Sequence, residues 1–550
     1  MTRVDRANRA LEIFLLLCIA VGIGLRSLWI GKRELWYDEV LSVLLSSGQK
    51  NAYDLPNDIP FAVKDFSPLL DFPANAGGLG SLKEVVKGTL GDPHPPLFYA
   101  IEHIWMGLFG NSEVALRSVG MVVSWVTLLV AYALGKRVLG RRGGLIFTAL
   151  MALNPFFLVH SLNLRMYALM VFWVVVSGWC WLALNDGQRR PLPPWLLRIA
   201  VAIALLAGLM SQYLFAYWFF ALAALALYLN PRRWLANGLT LLAGIVLFVP
   251  WALWGVRQQA NNRGDVLSQI SSVDGPLRSA LEHGRGLAQT LANHLLLGHL
   301  TTGMAPISEP IKPTAVAVGC GVIGLLAACV IELYRRKQYK VLIIASLMGL
   351  LPLAVALAID VAANTYTLGF GWGRSAIVAL PGCLLLVAAW LELATGRGRT
   401  ALIAGLLAVY LAVNVADFEG RDRQMFHAVN DALLKTDEST LVVINSRAWG
   451  HVLRLAYYLS DNPDTEVLAA NPDDVTNALK AALAAKDYRQ VLWLKAEKPL
   501  WGEPETAAEA DALSANTEAF LRQQRPFVGG QTLQGTMDLD QFELQIYGQG

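Results

Sequence analysis

Charge is what this sequence has least of: Asp, Glu, Lys and Arg make up 16% of its 550 residues. With 55% hydrophobic residues and 17 Trp, so little charge excludes an ordinary soluble domain or a disordered chain and reads as a polytopic membrane protein. The formal net charge of +3 is too small for its sign to name a partner, and nucleic acid is not expected among them. Cysteine is equally sparse. Cys18, Cys180, Cys320, Cys329 and Cys383 all lie in apolar runs, which excludes a disulfide framework for the water-exposed parts and leaves no zinc spacing. No small-residue cleavage site follows the first apolar stretch, "MTRVDRANRALEIFLLLCIAVGIGLRSLWI", so it reads as an uncleaved span rather than a signal peptide.

What the sequence has in abundance is apolar runs near the roughly 20 residues that a helix needs to cross the hydrocarbon core, about eleven of them. They fall near 11–30, 113–134, 145–161, 166–184, 195–212, 214–229, 236–255, 313–333, 341–360, 375–393 and 400–416. Arg3, Arg6 and Arg9, then "GKRVLGRRGG", "GQRRP", "NPRRW", "LYRRKQYK" and "TGRGRT", occupy every second connection, which makes those connections cytoplasmic. After an odd number of spans the C-terminal part is extracytoplasmic. The expected organisation is therefore a transmembrane domain over 1–416 and an extracytoplasmic domain over 417–550.

Two outer loops are long, about 36–112 and about 256–312. In the first, "SLKEVVKGTL" places Ser81 and Glu84 at capping-box spacing. Prolines 93, 95 and 96 then break the chain before "LFYAIEHIWMGLF", whose aromatic amphipathic pattern suits a helix lying in the interface plane with Glu102 and His103 in water. "SVDGPLRSALEHGRGLAQTLANHLLLG" in the second loop has the same helical spacing. The C-terminal part differs in texture. "STLVVIN" and "QVLWLKA" read as buried parallel strands, "SRAWGHVLRLAYYL" and "DDVTNALKAALAAK" as helices between them, and "TLQGTMDLDQFELQIYG" as a closing hairpin. The expected fold is thus an α-helical polytopic membrane protein with a C-terminal α/β domain. No GxGxxG or Walker pattern occurs in that domain.

The chemistry gathers on the outer side. "LWYDEVLSV" sets Asp38 and Glu39 just outside the first span, a position that also serves as an ordinary helix end. "DPHPPL" holds Asp92 and His94 in a proline-fixed turn, "VHSLNLRMYALM" puts His160, Arg165 and Tyr167 at an outer junction, and "LGFGWGRSAIVALPG" puts Arg374 at the start of a late span. A guanidinium fork matches phosphate oxygens and keeps its charge, and a carboxylate suits removal of a proton from an acceptor. Together they fit group transfer from a lipid phosphate to an acceptor outside the cytoplasm.

In the order "LWYDE", "DPHPPLFY", "GNSEVALRSVG", "NPFFLVHSLNLRMYAL" and "GRSAIVALPG", the chain resembles the membrane-embedded GT-C glycosyltransferases, in particular the branch of protein O-mannosyltransferases and lipid A aminoarabinose transferases. The likeness covers roughly 10–180 well, the region to 416 by topology plus the Arg374 segment, and 417–550 hardly at all. It implies transfer of a hexose or pentose from a polyprenyl phosphate with inversion. Asp38 then stands as catalytic base or acceptor-positioning group and Glu39 as its acidic neighbour. His94 shapes the cavity, and Arg165 and Arg374 face the donor phosphate. The implied partners are the polyprenyl-phosphate-linked sugar, a lipid, glycan or protein acceptor, and membrane lipids; the lack of a disulfide framework and of recognisable eukaryotic retention signals points to a bacterial inner (plasma) membrane.

The metal-dependent oligosaccharyltransferases of the same superfamily carry an acidic pair where "HSLNLRMY" has none. A divalent cation needs several hard oxygen ligands, so no essential metal or other cofactor is expected. His283, His294 and His299 lack i, i+3 or i, i+4 spacing. Arg117 reads as a structural partner of Glu113, and Lys312, at an outer span start, as a snorkelling lysine or a second phosphate contact. The competing class is a transporter or lipid flippase, which would show repeats and polar residues near mid-membrane; here the ionisable residues sit at the outer edge.

Overall fold

The computed structural model describes residues 3–73, 79–262, 276–300, 311–420, 424–433, 439–500, 502–535 and 540–548. The chain divides into two compact units. One comprises Met1–Ile30, Thr89–Ile101 and Arg117–Phe418, the other Gly31–Gly88, Glu102–Leu116 and Glu419–Gly550.

The first unit is helical, and the protein is a multi-pass membrane protein. Among the described residues, nine helices are long and apolar enough to cross a membrane, against eleven read from the sequence. The difference arises in two places. Glu113–Leu153 counts once over 41 residues, but its backbone leaves the helical region at Gly140, whose φ of 77° is open to glycine without strain, so two helices that meet at a kink, in the region of two expected spans, are counted there as one. Tyr213–Leu229 is apolar but falls below the length of a span. The break at Gly140 lies among the basic residues of "GKRVLGRRGG", and both flanks are anchored. Arg137 donates Nε and Nη2 to Asp186 at 2.6 and 2.7 Å, and Arg142 grips Glu392 with Nε and Nη2. Such forked pairs fix geometry as well as charge. Arg117, 4% exposed, donates to the Ile30 carbonyl at 3.3 Å.

The second unit holds a six-stranded mixed sheet in the order β1-β3-β2-β4-β6-β5. Its strands are β1 (Phe61–Ala62), β2 (Thr440–Ile444), β3 (Glu466–Ala469), β4 (Gln490–Ala496), β5 (Phe527–Gln534) and β6 (Gln541–Gly548). As expected, β2 and β4 are parallel, Trp449–Tyr458 and Pro472–Ala485 are helical, and β5 and β6 close as an antiparallel hairpin. Leu441, Val443, Val491 and Trp493 alternate onto one face and pack with Leu479 and Leu521.

The first outer loop folds into this same unit. Its β1 pairs antiparallel with β3, Phe61 opposite Val467 and Ala62 opposite Glu466. Helix Tyr37–Ser46 packs against Trp449–Tyr458, and the Tyr458 hydroxyl accepts the Leu35 N–H at 2.6 Å while donating to Glu113. Arg454 and Asp540 form an ion pair of 2.7 Å with both side chains fully buried.

Two expectations fail in this unit. Ser81 does not cap, because the helix starts earlier, at Leu79; its hydroxyl lies 2.8 Å from His103 Nε2, and Glu84 pairs with Lys87. Glu102 and His103 are not in water. The helix Leu97–Phe109 turns both inward, Glu102 fully buried and His103 2% exposed, with His103 Nδ1 2.6 Å from the Ser46 carbonyl. Its amphipathic stripe meets protein at the positions assigned to solvent.

Candidate functional site

The proline-fixed turn works as its sequence implies. Helix Leu79–Thr89 stops, prolines 93, 95 and 96 forbid its continuation, and the next helix starts at Leu97. Within the turn, Asp92 Oδ1 accepts the backbone N–H of His94 at 3.0 Å and lies 2.8 Å from His94 Nδ1. His94 Nε2 lies 3.1 Å from Nη2 of Arg165. Burial would raise the Asp92 carboxyl, but the His94 imidazole and amide and the Arg165 guanidinium outweigh it and hold Asp92 down at about 2. The turn is tied from the other side by Gln259, whose amide donates to the carbonyls of Thr89 and His94, each at 2.8 Å.

Arg165 sits in a tight turn, its N–H donating to the Asn163 carbonyl at 2.7 Å, and is 4% exposed. Two residues on, Tyr167 opens helix Tyr167–Asn185, and the Arg374 guanidinium lies over its ring, 5.9 Å from the centroid. The sequence brings Arg374 there through three consecutive left-handed residues, Gly371, Trp372 and Gly373, with φ of 56°, 58° and 81°. A side chain at Gly373 would strike Thr290, while Trp372 adopts a conformation that bulky residues avoid. Arg374 thus reaches Tyr167, two residues after Arg165, from a distant part of the chain.

Behind Tyr167 is a group of imidazoles. His160 packs edge-on against Tyr167, ring centroids 4.7 Å apart, and its Nε2 lies 3.0 Å from Nε2 of His299. His294 Nε2 lies 2.9 Å from the carbonyl of Gly373. Phe156 touches all three rings, stacked on His299, edge-on to His160 and tilted against His294. His160 was singled out by sequence; His299 was not, because its partner stands 139 positions away.

Asp360 was missed as well. This fully buried carboxylate ends the helix Tyr339–Ala363 and accepts from Thr365 Oγ1, from the N–H and Oγ1 of Thr367 and from the Leu368 N–H, at 2.7 to 3.1 Å. It gathers the turn that feeds the Arg374 segment. An acid at a span end followed by two threonines was the available signal. Lys312, 1% exposed, does not snorkel; it precedes Pro313 at a helix start, its backbone N–H bonded to Gln289.

Asp38 and Glu39 belong to the other unit, in the first turn of Tyr37–Ser46, where negative charge complements the helix N-terminus. They are not equivalent. Glu39 is 1% exposed and its Oε2 accepts the Trp36 N–H at 3.0 Å, closing the helix start, whereas Asp38 is partly exposed. Neither oxygen of Glu102 has a hydrogen-bond partner among the described residues. Burial, reinforced by the Glu39 charge, pushes the Glu102 carboxyl well above the usual range.

Residues 93–254 match a family model described as dolichyl-phosphate-mannose-protein mannosyltransferase. The matched stretch takes in all but the first residue of "DPHPPLFY", then "GNSEVALRSVG" and "NPFFLVHSLNLRMYAL", so the resemblance to GT-C glycosyltransferases carried by those motifs stands on the family model as well. No curated protein matches the chain. Among solved structures, the oligosaccharyltransferase of Archaeoglobus fulgidus in complex with Zn and sulfate is similar at 15% identity and a TM-score of 0.46, over 87% of this chain and 67% of that one. ArnT from Cupriavidus metallidurans is similar in its apo state at 13% identity and a TM-score of 0.41, over 97% of each chain. The same ArnT bound to undecaprenyl phosphate aligns at 14% identity and a TM-score of 0.38, over 97% of this chain and 98% of that one.

Proposed function

We propose, proceeding from the mannosyltransferase-family match over residues 93–254, that the chain is an integral membrane glycosyltransferase. It moves one hexose or pentose from a polyprenyl phosphate to a lipid, glycan or protein acceptor, with inversion. The observation that supports this reading is that Arg165 is anchored by the His94–Asp92 pair and that Arg374 lies over Tyr167, two residues further along the chain from Arg165. Two permanently charged forks held in largely buried surroundings have a use if they grip phosphate oxygens.

The reaction needs no covalent enzyme intermediate. Asp38 takes the proton of the acceptor hydroxyl or amine as that atom bonds to the anomeric carbon. The bond from the anomeric carbon to the phosphate oxygen breaks, and its electron pair leaves on the polyprenyl phosphate, whose growing charge Arg165 and Arg374 neutralise. Glu39 holds the helix start that presents Asp38. Transfer proceeds without an essential divalent metal, since the short turn carrying Arg165 offers no carboxylate ligand. The acidic pair and the 417–550 domain face the extracytoplasmic side of an inner (plasma) membrane, by the distribution of basic connections.

The test is the binding of a polyprenyl monophosphate to purified protein, followed by native mass spectrometry or competition. Arg165→Ala and Arg374→Ala should each lose about 1.5 to 3 kcal/mol, the worth of a charge-assisted hydrogen bond. Arg374→Lys should recover part of it, keeping the charge without the fork. Unchanged affinity in both alanine variants, with the fold intact, moves the phosphate elsewhere. Binding without any sugar transfer in membranes supplied with polyprenyl-phosphate sugars favours a flippase.

A further inference from the structure

The imidazoles beside Arg374 have no task in the reaction just described, yet their arrangement is specific. His160 and His299 meet Nε2 to Nε2 at 3.0 Å, a contact that closes only when one nitrogen donates and the other accepts. Both rings are nearly inaccessible, at 1% and 3% exposure. His160 Nδ1 finds no hydrogen-bond partner among the described residues. The pair is coupled to the arginine by two routes. His160 packs on Tyr167, whose ring underlies Arg374, and Phe156 links His160 and His299 to His294, which holds the carbonyl of Gly373, the residue before Arg374.

The charged and titratable groups around the pair are Arg374 and His294 on one side, Tyr167 on another and, through its bond to Ser161, Arg26. Among the described residues, none of these four supplies negative charge. Burial holds His294 down at about 4.

Sugar transfer changes the charge of the lipid. The donor is a phosphodiester with one negative charge; the released carrier is a monoester with a second ionisation near 6 and close to two charges at neutral pH. We propose that the His160–His299 pair is the proton-accepting wall of the phosphate subsite at Arg374: it stays neutral opposite the diester and takes one proton from solvent when the doubly charged monoester is held there. The proton returns to solvent as the monoester leaves. No bond is made or broken by the imidazoles, and the acceptor's own proton goes to Asp38. This assignment rests on the phosphate reading of Arg374 and adds to it a means of telling product from donor.

The experiment is isothermal titration of the purified protein at pH 8 with farnesyl phosphate and with its methyl diester, each in two buffers of different ionisation heat. Wild type should take up about one proton per monoester bound and close to none with the diester, and its monoester Kd should weaken about tenfold per pH unit above neutrality. His160→Gln and His299→Gln should bind the monoester without the uptake, and Arg374→Ala should weaken both probes. Uptake that persists in the glutamine variants, or monoester binding by wild type without uptake or pH dependence, overturns the proton-accepting role and leaves the phosphate site standing. Failure of the monoester to bind wild type, or indifference to Arg374→Ala, overturns the phosphate reading and this inference with it. If the glutamine variants do not fold, the wild-type proton count and the monoester-to-diester contrast in pH dependence decide alone.

Discussion

His94 Nε2 stands 3.1 Å from Arg165 Nη2. A guanidinium has no lone pair to offer, so the imidazole accepts there, and its proton is on Nδ1, donated to Asp92 at 2.8 Å. One tautomer thus links carboxylate, imidazole and guanidinium. His94→Ala should unlink them and weaken polyprenyl monophosphate binding by about tenfold to a hundredfold, the range expected for a hydrogen bond to a charged group. His94→Asn, which retains a donor and an acceptor on a shorter side chain, should fall between. Equal affinities across the three proteins would reduce the triad to a structural tie.

Asp92 is held at about 2, below its ordinary 3.8. A depressed carboxyl contributes stability that is present above 3.8 and fades as pH falls toward about 2. Asp92→Asn should therefore melt below wild type at neutral pH, and the gap should close on acidification. A gap that stays constant with pH would mean that shape, not charge, is what the asparagine fails to supply.

Glu102 has the opposite sign. Its carboxyl is raised, so the native state keeps a proton that the unfolded chain releases above 4.5. Stability then declines by about 1.4 kcal/mol per pH unit from there until the native group itself ionises. Glu102→Gln, neutral at every pH, removes the decline. The variant should gain on wild type in thermal midpoint between pH 5.5 and pH 8; parallel melting curves would show Glu102 ionised in the folded protein.

Asp38 and Glu39 should separate by assay. Asp38→Asn removes the proton acceptor and should lower turnover by a factor on the order of 100 to 10,000 while lipid-phosphate binding survives. Glu39→Gln should act mainly on stability, by about 1 kcal/mol, because its carboxylate closes the helix start at Trp36. If the glutamine variant lost activity and the asparagine variant kept it, the two roles would be exchanged.

Orientation is open to labelling. On a cysteine-free background, a cysteine in "GKRVLGRRGG" should resist an impermeant thiol reagent added from outside, and one on the exposed face of Ala507–Gln524 should react. The reverse pattern would put Asp38 in the cytoplasm.

Much of this was legible because it depends on local chemistry. The length of apolar runs, the prolines around His94, and the alternation in "STLVVIN" and "QVLWLKA" each act within a few residues. Glu102 and His103 were misread for the converse reason: an amphipathic stripe says that two faces differ, not which medium each one meets. His299, Asp360 and the placing of Arg374 over Tyr167 depend on partners far away in sequence, or on backbone that turns left-handed, and no periodicity announces them. The two-residue strand at Phe61–Ala62 is too short to have a pattern at all.

That strand has a further meaning for how the molecule can be divided. Phe61 and Ala62 complete a sheet whose other members come from 440–548, and the backbone of Val63 and Lys64 continues the bonding to Thr465 and Pro463. A chain shortened after residue 419 would keep every helix of membrane length, yet strip the segment bearing Asp38 of the scaffold it folds on. Reading order invites a modular description, a membrane engine followed by a removable accessory; the hydrogen bonds say that the accessory is one fold with the first outer loop. Domain exchange between relatives would have to carry 31–88 and 102–116 along with the C-terminal portion, three pieces inherited as one.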